Sequence, residues 1–300
     1  MRAEFFAKIT LKISGFTFIR NGIKFGYPFR QAILSILPIC DEVVIAVGNS
    51  DDGTREAILS LGSPKIKIVD TVWDESKREG GHVLADQTDI ALSHITGDWG
   101  FYIQGDEVIH EKYLPVIRAA MERHLSDDNV EGLLFNYLHF YGSCDYIATS
   151  RDWYRKEIRV VRNLPEIRSY RDAQGFRKII DDELVKLHVK QIDATMYHYG
   201  WARPSHIMKK KERYFQSLWH DDEWVKQNVH GDAFDYSKID VLERFAGTHP
   251  EVMKEYVEFM DTGFTFDESQ KKYSFKNRFS NALERLTGWR IGEYKNYKII

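Results

Sequence analysis

The first hundred residues alternate strand-like and helix-like patterns, and this alternation restricts the fold more than any other feature of the sequence. Four apolar strand patterns and three amphipathic helical patterns follow one another at residues 13–19, 29–37, 42–47, 55–61, 65–69, 83–94 and 99–103. A βαβ succession of this kind predicts an α/β fold with a mainly parallel sheet and helices on both faces. Because such sheets bind ligands beyond the carboxyl ends of their strands, the turns that follow the strands are the first candidates for a site.

The remaining two thirds of the chain change character near Pro204. The next predicted elements, one helix and three strands of a mixed continuation of the sheet, lie at 114–124, 132–141, 159–162 and 187–192. From Pro204 onward, charged and aromatic helical patterns at 207–219 and 252–260 lead into a basic, aromatic tail. We therefore predict one domain at residues 1–203 and a helical C-terminal extension at 204–300.

Composition limits the partners of the chain. Its 300 residues are 43% apolar and 29% charged, with a net charge of −3 and an isoelectric point of about 6.4. This near-neutral balance gives no electrostatic reason to expect nucleic acid as a partner. The two cysteines, Cys40 and Cys144, form no Cys-x-x-Cys pair, so neither a disulfide framework nor structural zinc is indicated.

No segment has the pattern of a secretory signal or a membrane-spanning helix. Residues 1–20 mix charged and apolar side chains, and no later apolar run approaches the roughly 20 residues that a spanning helix needs. We therefore expect a cytoplasmic protein whose contact with the inner face of a membrane is at most peripheral.

The turn after the second strand pattern is small and acidic, with the sequence Gly-Asn-Ser-Asp-Asp-Gly-Thr at 48–54. Glycine lets a backbone approach a ligand closely, and Asn49, Asp51 and Asp52 can accept hydrogen bonds from a base or a ribose. The same residue types also build ordinary strand-to-helix turns, with Thr54 near the N-cap of the next helix. Both interpretations stay open for this segment.

The turn after the fourth strand pattern, Gln-Gly-Asp-Glu at 104–107, places Asp106 and Glu107 at a strand end. A carboxylate there can hold Mg²⁺ or Mn²⁺, which neutralises the charge of a departing nucleoside diphosphate. A solvated acidic loop is the alternative. The two acidic turns together favour a nucleotide site, because a doubly wound sheet brings such strand ends close to each other.

Residues 13 to about 139 resemble the nucleotide-binding half of the family 2 glycosyltransferases, which have the GT-A fold. The turn at 50–54 is similar to the acidic strand-end turn of that family, and residues 104–106 are similar to its Asp-x-Asp metal motif. The resemblance to a bacterial branch of the family extends over 14–201 and includes the segments 73–76, 80–81, 137–142 and 197–201. It implies that residues 1–203 are a GT-A domain that binds a nucleotide sugar and catalyses transfer, with Mn²⁺ or Mg²⁺ as cofactor.

The sequence departs from the family pattern at both turns. Gln104 replaces the first Asp of the metal motif, so Asp106 is the charged ligand that the motif implies. Gly48 and Asn49 stand where the family often has a carboxylate that contacts the base, which leaves the nucleotide undetermined. The substrate-binding residues implied by the resemblance are Asn49, Asp51, Asp52, Gln104 and Asp106.

The resemblance also implies a general base and a late histidine. An inverting transfer deprotonates the acceptor hydroxyl, and the family uses an Asp or Glu downstream of the metal motif. Asp172, in the polar segment 169–176, is the candidate, with Asp181 and Asp182 as rivals and a solvated loop carboxylate as the alternative. His198 is the candidate second metal ligand, because neutral imidazole binds Mn²⁺, although a buried core histidine fits the same position.

Several further side chains suit contacts with a diphosphate or an acceptor, although surface charge and core packing are their commoner roles. They are Lys77, Arg78, Arg151, Arg155, Arg171, His139, Tyr141 and Trp153. Gly-x-Ser-x-Gly, Walker and His-Glu-x-x-His motifs do not occur in the sequence, which removes the usual signs of other enzyme classes.

These features predict a glycosyltransferase that moves a sugar from a nucleoside-diphosphate sugar to a hydroxyl of a glycan, a lipid-linked acceptor or another acceptor. We expect inversion, dependence on a metal, and a role in assembling a bacterial surface glycan such as cell wall, lipopolysaccharide or capsule. Nucleotidyl or phosphosugar transfer at the same site is one alternative. A non-catalytic protein that binds sugar nucleotides or glycans is the other, because Gln104 is neutral.

Overall fold

The computed structural model describes residues 10–74, 77, 79–238, 241–260, 262–267, 290 and 293–300. Its strands in chain order are β1 (Ile13–Ile19), β2 (Glu42–Gly48), β3 (Ile66–Thr71), β4 (Trp99–Tyr102), β5 (Glu107–Ile109), β6 (Gly132–Tyr141), β7 (Tyr146–Ala148), β8 (Lys156–Arg162), β9 (Ile167–Tyr170), β10 (Gly175–Ile180), β11 (Glu183–Lys186), β12 (His188–Trp201), β13 (Leu242–Arg244) and β14 (Lys298–Ile299). Its α-helices are α1 (Phe29–Ile36), α2 (Thr54–Leu59), α3 (His82–Ser93), α4 (Leu114–Arg123), α5 (Ser205–Ser217), α6 (Asp222–Asn228) and α7 (Lys254–Phe259).

The central sheet has the order β3-β2-β1-β4-β8-β6, with β12 added beside β6. Strands β1 to β4 pair in parallel, β8 runs antiparallel between β4 and β6, and β12 is again parallel to β6. All of these strands except β8 therefore point in one direction. The predicted α/β fold with a mixed, mainly parallel sheet is confirmed.

The alternation of side chains along β2 explains why helices cover both faces of the sheet. Val43, Ile45 and Val47 pack in one buried cluster with residues of α1, α2 and α4, whereas Val44 and Ala46 pack in a second cluster with residues of α3. Successive side chains of a strand point to opposite faces, so a strand that is apolar throughout must be covered on both sides. This requirement fixes the layered architecture that the sequence pattern predicts.

The structure corrects the sequence prediction in the second half of the sheet. The short strand predicted at 187–192 is wrong in length, because β12 extends over 14 residues and reaches Trp201. The polar segment that carries Asp172 is not an open loop, since it forms the turn between β9 and β10 of a separate three-stranded sheet.

In the C-terminal region, α5 and α7 match the helices predicted at 207–219 and 252–260, whereas α6 and two strands were not predicted. β13 pairs with β7, and β14 pairs in parallel with β12. Within the described ranges, no helix has the length and apolar character to cross a membrane. The division near residue 203 stays a prediction, and most of the predicted basic tail lies outside the described residues.

A buried glutamate anchors the chain just before β14. Glu157 of β8 is 2% exposed, and its carboxylate accepts hydrogen bonds from the Ile158 N–H at 2.9 Å and from Asn296 Nδ2 at 3.4 Å. A Cβ at Gly175 would lie 2.7 Å from the Glu157 carboxylate, so only glycine fits there. Burial raises the pKa of Glu157 to about 7, although the positive charge of Arg159 opposes this shift.

This raised pKa predicts a specific dependence of stability on pH. Because the folded pKa lies above the ordinary value of 4.5, the contribution of Glu157 is present at acidic pH and is lost as pH rises through about 7. In urea denaturation, the wild type should lose about 2 to 3 kcal/mol relative to Glu157→Gln between about pH 5 and about pH 8. The exposed Glu183→Gln is the matched control, and equal pH profiles for wild type and Glu157→Gln would contradict the prediction.

Candidate active site

A cavity of about 810 Å³ opens beyond the carboxyl ends of four strands that run in the same direction. Arg20 follows β1 and Gln104 follows β4, while Tyr141 and Trp201 end β6 and β12. Residues of α5 and of the segment 230–235 line the other side. The cavity thus lies where α/β sheets bind ligands.

The turn between β4 and β5 is held by a buried ion pair. Glu107 is 0% exposed, and both of its carboxylate oxygens accept hydrogen bonds from Arg159 of β8 at 2.8 Å. The Tyr137 hydroxyl donates a third bond at 2.8 Å, and the Gln104 N–H donates a fourth at 3.1 Å. Glu107 is therefore fully used in fixing the turn, which leaves Asp106 as the carboxylate of this turn that faces the cavity.

Gln104 donates a side-chain hydrogen bond that an ionised aspartate could not donate. Its side-chain amide donates a hydrogen bond to the carbonyl oxygen of Ala173 at 3.1 Å, which ties the β4–β5 turn to the turn that carries Asp172. An ionised Asp can only accept hydrogen bonds. The departure from the family motif at this position therefore exchanges a charged ligand for a link between two turns of the site.

Asp106 lies among positive and neutral groups. Lys211 Nζ is 3.1 Å from Oδ2, Arg203 Nη2 is 3.8 Å from the same oxygen, and His198 Nε2 is 3.8 Å from Oδ1. Burial acts to raise the pKa of Asp106, but the positive charges of Lys211 and Arg203 hold it well below its ordinary value. Asp106 is thus ionised at neutral pH.

The hydrogen bonds of two histidines fix the tautomer of His198. His139 of β6 lies opposite His198 of β12, with Nε2 at 2.7 Å from the Tyr154 carbonyl oxygen and Nδ1 at 2.9 Å from His198 Nδ1. Burial lowers the pKa of His139 to about 3 and that of His198 to about 4, so both rings are neutral. Because a carbonyl oxygen only accepts, His139 carries its proton on Nε2 and His198 carries its own on Nδ1. We therefore assign a lone pair to His198 Nε2, the atom that faces Asp106.

This arrangement fits a divalent cation. A carboxylate oxygen and an imidazole lone pair 3.8 Å apart are too distant for a hydrogen bond but suit two ligands of one ion. A Cβ at Gly200 would lie 2.3 Å from His198 Nε2 and 2.9 Å from Asp106 Oδ2, so glycine keeps this corner open. No group of three or more His, Cys, Asp or Glu side chains suited to a metal occurs in the part of the chain that the structure describes. Other ligands would come from a bound phosphate or water.

Lys211 and Arg203 are site residues that the sequence analysis missed. Lys211 of α5 also donates to the Gly200 carbonyl oxygen at 2.8 Å, and burial lowers its pKa to about 8, with Arg203 adding to the shift and Asp106 opposing it. Arg203 is fully buried and donates to the Phe25 carbonyl oxygen at 2.8 Å. In the sequence Lys211 belongs to the run Lys209–Lys211 of a charged helix, a pattern typical of a solvated face.

Asp172 lines the same cavity as Asp106. It lies in a four-residue turn between β9 and β10, in which Arg171 and Ala173 have positive φ angles of 57° and 62°. Burial raises the pKa of Asp172, and the charge of Arg171 opposes the shift. Its rivals Asp181 and Asp182 are exposed in the turn between β10 and β11 and are not among the residues that line the cavity.

The acidic turn after β2 is mainly structural in its contacts. Asp52 accepts hydrogen bonds from the Lys24 N–H at 2.7 Å and the Thr54 N–H at 3.0 Å, while the exposed Asp51 pairs with Lys24 Nζ at 3.0 Å. The backbone nitrogen of Trp73 lies 3.5 Å from Asn49 Oδ1. Trp73 lines the cavity, whereas these three side chains are not among its lining residues. A nucleotide contact for Asn49, Asp51 and Asp52 stays a prediction.

Few of the remaining candidates contribute to the described cavity. Tyr141 lines it, and His139 acts through His198. Lys77 pairs with Asp86, and Arg155 pairs with Glu293. Arg78 and the residues 75 and 76 lie outside the described residues. The cavity lining does not include Arg151, Trp153 or Arg171.

Comparison with known proteins gives only a partial likeness. No protein-family model and no curated protein matches the sequence. Among solved structures, glucosyl-3-phosphoglycerate synthase from Mycobacterium tuberculosis with Mn²⁺, UDP and phosphoglyceric acid is 18% identical, with 43% of each chain covered and a TM-score of 0.30. The same synthase with Mg²⁺ and UDP matches at 18% identity over 43% of this chain and 44% of that chain, also with a TM-score of 0.30.

A further solved structure, titled only as a mycobacterial protein, is 16% identical over 44% of this chain and 42% of that chain, with a TM-score of 0.30. The chain thus spans less than half the length of each of these structures. A likeness this partial assigns neither a substrate nor an activity to the chain.

The Arg159–Glu107 pair yields a stability prediction. Arg159→Met leaves the Glu107 carboxylate buried without its charge partner, which should cost about 3 to 5 kcal/mol in the free energy of unfolding measured with urea. Arg155→Met is the matched control, because its pair with Glu293 is partly exposed, at 34% and 15%, and should be worth less than about 1 kcal/mol. Equal losses for the two variants would show that Glu107 does not depend on Arg159.

Proposed function

We propose that the chain is a glycosyltransferase of the GT-A type that transfers a sugar from a nucleoside-diphosphate sugar to an acceptor hydroxyl. The proposal rests on the position of Asp106, whose carboxylate faces the lone pair of His198 Nε2 in a cavity at the strand ends. A divalent cation bound there would supply positive charge to the leaving diphosphate. The sequence resemblance to family 2 glycosyltransferases supports the same activity.

Different residues of the chain would have different roles in such a transfer. Asp106 and His198 would hold Mn²⁺ or Mg²⁺, and Gln104 and Glu107 keep the turn of Asp106 in place. Asp172 would accept the proton of the attacking hydroxyl, since burial raises its pKa toward the range where a carboxylate is a more effective base. We retain inversion by direct displacement as the stereochemical course.

The acceptor side of the cavity would be built by the C-terminal region. Trp201, Phe234 and Asp235 line the cavity, and Trp201 stacks near Tyr141 with ring centroids 6.2 Å apart. Aromatic faces and a carboxylate suit the apolar face and the hydroxyls of a sugar. This chemistry supports a glycan or lipid-linked acceptor, and we propose bacterial surface glycan assembly as the setting.

The metal role of Asp106 is tested by Asp106→Asn. The substitution removes the charged ligand while keeping the shape, so the dependence of UDP binding on Mn²⁺ should be lost in calorimetry, with a fall in affinity of about tenfold or more. Asp193→Asn, an exposed carboxylate on the same strand as His198, should bind as the wild type does. Unchanged affinity and metal dependence in Asp106→Asn would refute the metal site.

The activity itself is tested by a panel of sugar nucleotides with mass spectrometry of the products. Release of a nucleoside diphosphate supports glycosyl transfer, release of pyrophosphate indicates nucleotidyl transfer, and turnover of no donor indicates a binding protein. With an active donor, Asp172→Asn should lower kcat by about 10² to 10⁴ and remove the acidic limb of the pH–rate profile. That limb should lie above the ordinary pKa of Asp. A large loss in Asp235→Asn with none in Asp172→Asn would assign the base to Asp235 instead.

A further inference from the structure

Lys211 of α5 carries its ammonium group to the wall of the cavity. Its side chain is 12% exposed, and it lines the cavity while contacting Asp106 Oδ2 at 3.1 Å and the Gly200 carbonyl oxygen at 2.8 Å. Its ammonium lies 5.1 Å from the ring centroid of Tyr27 and 6.0 Å from that of Trp201. An ammonium has three donor hydrogens, so these two bonds leave one for a ligand.

The side chains in direct contact with Asp106 carry one positive charge in excess, while the carboxylates of Asp172 and Asp235 lie elsewhere in the cavity lining. Asp106 faces both Lys211 and Arg203, while His198 is neutral. Two other cations of the lining are paired with carboxylates, since Arg159 pairs with Glu107 and Lys209 pairs with Glu212 at 2.7 Å. A buried cluster of two cations and one carboxylate attracts an anion.

Of the two cations beside Asp106, Lys211 is the one able to reach a ligand. Arg203 is 0% exposed, donates to the carbonyl oxygens of Phe25 and Tyr199, and lies 4.8 Å from the ring centroid of Tyr27. Lys211 instead carries its charge on a flexible stem at the cavity wall. Arg203 therefore supplies fixed background charge, and Lys211 supplies the direct contact.

We propose that Lys211 binds the diphosphate of the donor and competes with the divalent cation for Asp106. The proposal rests on the glycosyltransferase function and adds a residue to the same site. The Lys211 ammonium lies 3.1 Å from the Asp106 carboxylate. It would therefore repel a divalent cation at Asp106 when no anion is bound. An arriving diphosphate attracts the ammonium and leaves Asp106 to the cation.

The proposal predicts effects of opposite sign for two simple probes. In calorimetry, Lys211→Met should bind inorganic pyrophosphate in EDTA about tenfold more weakly than the wild type, because it lacks a charged donor. The same variant should bind Mn²⁺ alone about tenfold more tightly, because it lacks the competing charge. Lys210→Met is the matched control, since Lys210 is the exposed neighbour on the same helix and changes the net charge equally.

Lys211→Arg keeps the positive charge and should retain most of the affinity for pyrophosphate, and circular dichroism with thermal unfolding verifies that each variant is folded. Undetectable binding of pyrophosphate by the wild type, or equal affinities in Lys211→Met and Lys210→Met, would overturn the proposal. Failure of the proposed function is a separate result, because it appears as absence of donor turnover by the wild type itself.

Discussion

The ion pair between Glu107 and Arg159 is the interaction on which the rest of the site depends. It joins the start of β5 to the middle of β8, and the Tyr137 hydroxyl adds β6 to the same group. A buried pair of this kind contributes little net stability, yet loss of one partner is costly because the other charge stays buried. The pair therefore acts mainly as a constraint on geometry. It fixes the turn so that the Glu107 carboxylate is internal and the neighbouring Asp106 carboxylate faces the cavity.

The register between β6 and β12 sets the second half of the site. Parallel pairing places His139 directly opposite His198, and the Tyr154 carbonyl oxygen then determines where each ring carries its proton. A shift of β12 by one residue would move His198 to the other face of the sheet and separate it from His139. The chemistry at Asp106 thus depends on strand pairing that is itself fixed by the apolar residues of the core. Gly200 completes the arrangement because any side chain there would clash with His198 and Asp106.

The sequence predicts what depends on local patterns. The apolar runs at 13–19 and 42–47 carry their own period and length, so the strands and their parallel order follow from residues close together in the chain. Glu107 and Arg159 are 52 positions apart, and no local pattern indicates that one neutralises the other. Lys211 was missed for the same reason, since only the return of α5 to the strand ends brings it to Asp106. The segment 167–186 is polar and rich in charge, so its sequence does not indicate the hairpins that place Asp172 in the cavity.

The exchange of Asp for Gln at position 104 and the presence of Lys211 change the charge of the site in the same direction. Relative to an Asp-x-Asp motif, Gln104 removes one negative charge, and Lys211 adds a positive charge beside the carboxylate that remains. A site of that kind holds a cation weakly by itself, because one carboxylate faces two positive side chains. The negative charge that balances a cation must then be brought by the ligand, and a diphosphate carries enough of it. Under the proposed function, the donor would thus be part of its own metal site, which His198, Asp106 and Lys211 would complete.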